Sequence, residues 1–120
     1  MQNSYKVGAT DTRPWGEWRV MHVGEDYVLK EIKVNAGGIL SLQRHQYRSE
    51  KWSVMKGHGV VTVADRKIRV KVGSEVFIPK KAWHRIENTG WGPLVFQEMQ
   101  IGEILDENDI ERKEDKYNRV

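Results

Sequence analysis

The stretch that decides the fold runs from residue 27 to residue 63 and reads YVLKEIKVNAGGILSLQRHQYRSEKWSVMKGHGVVTV. In its first eight positions Val28, Ile32 and Val34 lie at even spacing and share one face with Lys30, and the turn formers NAGG and KGHG interrupt the stretch at residues 35–38 and 56–59. Alternation at a period of two is typical of a β-strand with one buried face, and no segment here repeats its apolar residues at helical spacing. The stretch therefore predicts short strands separated by tight turns.

The same pattern continues on both sides of this stretch. It predicts nine strands, at residues 18–23, 27–34, 40–45, 50–56, 59–64, 67–72, 75–78, 83–88 and 94–101. Short strands at this spacing indicate a sandwich or a barrel, so we expect one all-β domain covering residues 1–120. The tail DENDIERKEDKYNRV is highly charged, and three interpretations stay open for it: a short helix, a strap over the barrel, or partial disorder.

The composition of the chain excludes some kinds of site and some classes of protein. The chain has 120 residues, of which 38% are apolar and 31% charged, and it has no Cys. Disulfides and thiolate ligands are therefore excluded, and any metal must bind to His, Glu, Asp or Gln. No apolar run reaches the length of a membrane helix, and the N-terminus lacks the apolar core of a signal peptide. We expect a cytoplasmic protein without a membrane partner.

A basic run, DRKIRVKV, covers residues 65–72 of a chain whose formal charge is +3. Its cations alternate with apolar residues, as they do in a strand with one exposed face. A nucleic-acid surface is the alternative interpretation, but a surface or edge strand explains the pattern more simply. We therefore expect no nucleic-acid partner.

Four polar residues lie at positions that predict inward-facing side chains. Gln43 and His45 are two apart and share one face of their strand, with Tyr47 if that strand continues. Glu50 begins the next strand on its more apolar face, and His84 lies on a mixed face of the strand at 83–88. Two imidazoles, a carboxylate and an amide oxygen suit a divalent first-row metal with open positions. The plainer alternative is that each is a hydrogen-bonded side chain near a strand end.

The spacing of these residues resembles that of a known family signature. Gly37 is followed after five residues by Gln43, then after one by His45 and after four by Glu50; the second part runs from Pro79 over four residues to His84. This resembles the two-part signature of the cupin superfamily, whose motifs hold a metal inside a small β-barrel. The resemblance implies a double-stranded β-helix, or jelly-roll barrel, with one divalent ion bound by Gln43, His45, Glu50 and His84. It does not distinguish zinc, manganese, cobalt, nickel and iron.

Within the cupins the chain is most similar to the type II mannose-6-phosphate isomerases. The resemblance rests on RPWG at 13–16, SLQRHQYRSEKW at 41–52, FIPKKAWHRIEN at 77–88 and DIERKEDKYNR at 109–119. In that family the domain usually follows a mannose-1-phosphate guanylyltransferase domain. The resemblance implies interconversion of mannose 6-phosphate and fructose 6-phosphate. Because small cupins often pair through their sheets, it also implies a homodimer, in which the N-terminal strand is a candidate for exchange.

The chain departs from that family at three positions. Tyr47 stands where the family commonly has the last of three consecutive His, Lys81 replaces a Gly before the second metal His, and Asn118 replaces a Gly in the tail. These departures keep a second hypothesis open: a non-catalytic cupin that binds a sugar, a sugar phosphate or a nucleotide sugar.

Aldose–ketose isomerisation also needs a group that moves a proton between C1 and C2. The candidates are Glu98 and Lys30, each on a mainly apolar strand face. Lys30 there needs an anionic partner, such as Glu98 or a sugar phosphate, unless it extends to solvent at a barrel rim. Tyr47, Arg112 and Arg119 are candidate substrate-binding residues, since guanidinium groups bind phosphate in pairs of hydrogen bonds. A solvated charged tail explains the two arginines equally well.

Overall fold

The structure, a computed structural model, describes residues 2–117. These residues form strands and no helix, and so none of them belongs to a helix that could span a membrane. The strands are β1 (Gln2–Asn3), β2 (Thr10–Arg13), β3 (Gly16–Val23), β4 (Tyr27–Val34), β5 (Leu42–Arg44), β6 (Arg48–Lys56), β7 (His58–Val63), β8 (Arg66–Lys71), β9 (Glu75–Ile78), β10 (His84–Asn88), β11 (Leu94–Gly102), β12 (Ile104–Leu105) and β13 (Glu111–Glu114). The prediction of an all-β chain is confirmed.

Two antiparallel sheets enclose the main core. One sheet has six strands in the order β2-β3-β4-β11-β6-β9, and the other has five in the order β13-β5-β10-β7-β8. The core between them includes Phe96 and Val54 from the first sheet and Ile86 and Val61 from the second. A third pairing joins β1 to β12 in parallel, so the first described residues lie beside the segment that follows β11.

The three central strands of the six-stranded sheet divide the barrel interior into an apolar end and a polar end. Their inward residues alternate along each strand, as the sequence pattern predicted. Phe96 pairs with Ile32 of β4 in the apolar half, whereas Glu98 pairs with Lys30, and Gln100 with Glu50, in the polar half. The strand register therefore gathers the buried charged side chains at one end of the barrel.

A turn before β10 explains one departure from the family pattern. Lys81 has a φ of 67°, in the left-handed region where glycine is favoured, so this lysine keeps the backbone shape that a glycine would give. Its N–H donates to the carbonyl of His45 at 2.8 Å. The turn therefore joins the start of β10 to the end of β5 and sets the position of His84.

The nine predicted strands are all present, with bounds that shift by up to two residues. Strands 27–34 and 75–78 have the predicted limits, whereas the strand predicted at 40–45 shrinks to Leu42–Arg44. Four short strands were not predicted: β1, β2, β12 and β13. Of the three interpretations of the tail, the strap applies to its described residues, because β13 pairs with β5 while its side chains are mostly exposed.

Candidate metal centre

The two candidate histidines lie side by side in the polar end of the barrel. His45 follows β5, and His84 begins β10, the strand paired with β5. Their side chains are 4% and 1% exposed, and their ring centroids are 5.0 Å apart. The structure thus brings together the imidazoles that the spacing of the two motifs singled out.

Each imidazole is oriented by a backbone carbonyl. His45 Nδ1 lies 2.7 Å from the carbonyl oxygen of Asp109, and His84 Nδ1 lies 2.9 Å from that of Ala82. Since a carbonyl oxygen only accepts hydrogen bonds, both Nδ1 atoms carry hydrogen. In the neutral ring this leaves the lone pair on Nε2, and an outer partner on Nδ1 is the usual arrangement of a metal-binding histidine.

Both Nε2 atoms face the carboxylate of Glu50, which is 1% exposed. The distances are 3.2 Å from His45 Nε2 to Oε2 and 3.8 Å from His84 Nε2 to Oε1. Burial lowers the pKa of His45 to about 4, and it also lowers the pKa of His84, although Glu50 opposes both shifts. Both rings are therefore neutral near pH 7, which is the form that binds a metal.

Two neighbours on β6 hold the Glu50 carboxylate in place. The indole of Trp52 donates to Oε1 at 2.8 Å, and Nε of Arg48 donates to Oε2 at 2.8 Å. Burial raises the pKa of Glu50, but the adjacent Arg48 guanidinium opposes this, and the pKa lies well below its usual range. Glu50 is therefore ionised and available as an oxygen ligand.

These three residues fit a divalent metal. One donor atom from each of His45, Glu50 and His84 lies within 4.8 Å of the others. Within residues 2–117, the buried Nε2 of His84 makes no hydrogen bond. A buried polar atom without a partner calls for an explanation, and an ion between the two nitrogens and the carboxylate supplies one. The donor set of two nitrogens and one oxygen suits zinc and its first-row neighbours.

The fourth predicted ligand, Gln43, lies in β5 directly opposite His84. Its half-buried side chain lines the same pocket as His45. The pocket has a volume of about 60 Å³, room for a few water molecules. It is lined by Arg13, Trp15, Trp18, Lys30, Ile32, Leu40, Ser41, Gln43, His45, Arg48, Glu98, Glu107, Ile110 and Arg112.

The two candidate catalytic residues both reach this pocket. Glu98 is 6% exposed, and burial together with the nearby Glu50 charge raises its pKa to about 8. The side-chain amide of Gln100 donates to Glu98 Oε2 at 2.7 Å. A carboxyl group that is largely protonated at neutral pH beside a metal site is suited to proton transfer.

Lys30 does not extend to solvent, so the alternative of a rim position is wrong: its side chain is 3% exposed. Its Nζ donates to Glu107 Oε2 at 2.8 Å and lies over the rings of Trp18 and Tyr5, 4.0 and 4.7 Å from their centroids. The partner that offsets its burial is therefore Glu107, which the sequence analysis did not single out.

Among the candidate substrate-binding residues, Arg112 lines the pocket and Tyr47 does not. β5 ends at Arg44, so the strand does not continue to Tyr47, and the Tyr47 side chain is 50% exposed. Arg119 lies outside the described residues. The roles of all three in substrate binding stay predictions.

Arg48 is a second residue that sequence reasoning missed. Its side chain is 5% exposed, and besides Glu50 it contacts His45, with Arg48 Nη2 at 3.3 Å from His45 Nε2. The neighbouring carboxylates keep its guanidinium charged despite burial. The signal was present in the sequence, because Arg48 is two residues before Glu50 and shares the inward face of β6.

The sequence profile of the family described as "Mannose-6-phosphate isomerase C-terminal" matches residues 1–115. The alginate biosynthesis protein AlgA of Pseudomonas aeruginosa is 40% identical over 108 residues, which are 90% of this chain and 22% of AlgA. The mannose-1-phosphate guanylyltransferase ManC of Salmonella typhimurium is 39% identical over 108 residues, again 90% and 22% of the two chains. The chain therefore spans about a fifth of the length of these curated relatives.

Solved structures agree on the fold. A cupin-2 domain from Rhodospirillum rubrum superposes with a TM-score of 0.71 at 22% identity, covering 91% of this chain and 84% of that one. A protein with a double-stranded β-helix domain from Klebsiella pneumoniae gives 0.70 at 16% identity, with coverage of 81% and 83%. The predicted cupin fold is thus confirmed, and the chain belongs to the mannose-6-phosphate isomerase C-terminal domain family.

Proposed function

We propose that this chain is a metal-dependent aldose–ketose isomerase that interconverts mannose 6-phosphate and fructose 6-phosphate. The observation that carries the proposal is the convergence of His45, Glu50 and His84 with both Nε2 lone pairs turned toward one carboxylate. The choice of a sugar phosphate as the substrate rests on family membership, since the matching profile is named for mannose-6-phosphate isomerase.

In this proposal His45, Glu50 and His84 hold one divalent ion, with the Gln43 amide oxygen as a fourth donor. When bound, the ion polarises a carbonyl or hydroxyl oxygen of the sugar. The metal's identity is open, because nitrogen and oxygen donors of this kind accept several first-row ions.

Glu98 is the residue we assign to proton transfer between C1 and C2. Its carboxyl lines the pocket beside His45, and its raised pKa of about 8 lets it both accept and return a proton near neutral pH. Lys30 lies opposite Glu98 across β4 and β11, and its charge favours an anionic substrate in the same pocket.

The second candidate function is a non-catalytic cupin that binds a sugar phosphate. The contact between Arg48 and the Glu50 carboxylate favours it, because that contact engages a proposed ligand.

A coupled assay separates the two candidates. The isomerase converts mannose 6-phosphate to fructose 6-phosphate, loses activity with a chelator and regains it with a divalent ion. A binder shows thermal stabilisation by mannose 6-phosphate without turnover, with and without metal. Turnover that survives complete metal removal contradicts the metal-dependent mechanism.

A homodimer and a cytoplasmic location belong to the same proposal. Exposed apolar side chains on the outer face of the six-stranded sheet, including Phe77 and Ile101, suit a contact between two copies. Sedimentation equilibrium at micromolar concentration tests this, and a mass of one chain contradicts it.

A further inference from the structure

The carboxylate of Glu107 lies in a cradle of donors from separate parts of the chain. Glu107 is on the segment between β12 and β13, and its Oε2 accepts hydrogen bonds from the Tyr5 hydroxyl and from Lys30 Nζ. Arg13 Nη2 lies 3.8 Å from its Oε1, and Arg48 Nη1 lies 4.0 Å from its Oε2. Three cations and a hydroxyl therefore surround one carboxylate.

The buried part of this cradle requires an anion. The side chains of Lys30 and Arg48 are 3% and 5% exposed, so neither cation is solvated. Burying such groups is costly unless a negative charge accompanies them. Glu50 is an ion-pair partner of Arg48, whereas Lys30 has Glu107 as its ion-pair partner in the described part of the chain.

Among the side chains that form ion pairs with Arg13, Lys30 or Arg48, Glu107 is the most exposed apart from the surface residue Asp11. Its side chain is 34% exposed, whereas the chain on either side of it is fixed. Leu105 is fully buried, and the Asp109 carboxylate accepts hydrogen bonds from the N–H groups of Gln46 and Tyr47. The Glu107 carboxylate can therefore turn to solvent by side-chain rotation, while the segment stays in place.

The cradle forms part of the wall of the pocket that the candidate metal ligand His45 also lines. Arg13, Lys30, Arg48 and Glu107 line the pocket together with His45. A phosphate has more charge and more acceptor oxygens than a carboxylate, so it satisfies the same donors more fully. A sugar phosphate seated there would direct its sugar toward the histidines.

We propose that this cradle is the phosphate subsite of the chain and that Glu107 occupies it until a phosphate group displaces the carboxylate. The inference rests on the proposed function for its substrate. It adds the residues that bind the phosphate group and identifies Glu107 as the side chain that competes with it. Displacement of Glu107 also enlarges the pocket, which is otherwise too small for a hexose phosphate.

Calorimetric titration with inorganic phosphate tests the subsite without metal or turnover. In chelator, E107Q is expected to bind phosphate about fivefold or more tightly than the natural sequence, because it lacks the competing charge. Adding Lys30→Met to E107Q abolishes the gain. The matched control is E111Q, which removes the same charge from a surface pair with Arg44 outside the cradle. A titration with chloride at equal ionic strength corrects for the electrostatic screening that added phosphate causes.

The proposal is overturned if folded E107Q binds phosphate no more tightly than the natural chain, or if E111Q shows the same gain. Should E107Q fail to fold, R13Q tests the cradle at the least buried of its three cations, with weaker phosphate binding expected and unchanged binding contradicting the proposal. Mannose 6-phosphate against inorganic phosphate distinguishes phosphate on a sugar from free phosphate. Because no arm measures catalysis, failure here leaves the isomerase proposal standing, and absence of turnover leaves the subsite standing.

Discussion

Lys81 shows how one residue can depart from a family pattern and preserve the site. Its φ of 67° costs a non-glycine residue about 1 kcal/mol, and its N–H holds the carbonyl of His45. We expect Lys81→Gly to raise the free energy of unfolding by up to about 1 kcal/mol, since relief of strain exceeds the added entropy of the unfolded chain. Urea denaturation measures this. Lys80→Gly is the matched control and should destabilise; a K81G protein less stable than K80G contradicts the account.

Glu98 carries the proton-transfer role in the proposed function. Replacement by Gln keeps the shape and the hydrogen bond to Gln100 but removes the ionisable group. Turnover of mannose 6-phosphate is expected to fall by about 100-fold or more, with metal content unchanged. Glu103→Gln, which changes an exposed residue directly after β11, should keep full activity. Full turnover in E98Q removes Glu98 from the mechanism.

Strand parity explains which site residues could be predicted. The buried positions of Glu50 and His84 were predicted correctly because inward positions on a strand alternate, and the same rule applied to β6 includes Arg48. His45 is buried as well but lies one residue beyond β5, and metal binding by the three residues stays a prediction. Glu107 could not be predicted in this way, because its segment has no alternation and its contacts depend on how the tail crosses the barrel. Tyr47 was placed by extending β5 beyond its actual end at Arg44.

At the scale of elements, the C-terminal strap supports the candidate metal centre. Asp109 accepts hydrogen bonds from two main-chain N–H groups after β5 through its carboxylate, and its carbonyl orients His45. Asp109→Ala should weaken metal affinity about 10- to 100-fold, because the connection that presents His45 loses both anchors. Competition with a metal-binding dye measures this. Asp115→Ala, later in the strap, is the control, and equal affinity in D109A and the natural chain contradicts the supporting role.

The central strands were predictable from sequence and the terminal ones were not, for a physical reason. β4, β6 and β11 each bury every second side chain, which leaves a period in the sequence. β12 has two residues and β13 is mostly exposed, so their pairing depends on main-chain hydrogen bonds that any sequence can make.

At the scale of the whole molecule, the buried histidines link stability to pH. The folded-state pKa of His45, about 4, is below its ordinary value of 6.5. Between these values the unfolded chain binds more protons, so this group's contribution to the free energy of unfolding decreases as pH falls through that window. Glu98 acts in the opposite direction, because its pKa is raised to about 8 and stability from its neutral form decreases as pH rises from 4.5 to 8.

A variant comparison isolates the histidine contribution. In chelator, His45→Gln should make the free energy of unfolding less sensitive to acid than in the natural chain, by about 1.4 kcal/mol per pH unit inside the window. Urea denaturation at several pH values measures the two slopes. His58→Gln, which changes an exposed imidazole, is the control. Identical slopes in the H45Q and natural proteins contradict the assignment of a buried neutral His45.

The most direct test of the central claim, that His45, Glu50 and His84 hold one cation, is metal content by plasma mass spectrometry. Protein saturated with a divalent ion and then desalted should retain about one ion per chain. H45A and H84A should each retain far less, while the exposed-residue control H58A retains the full amount. Stoichiometric metal in H45A or H84A would contradict the proposed ligand set.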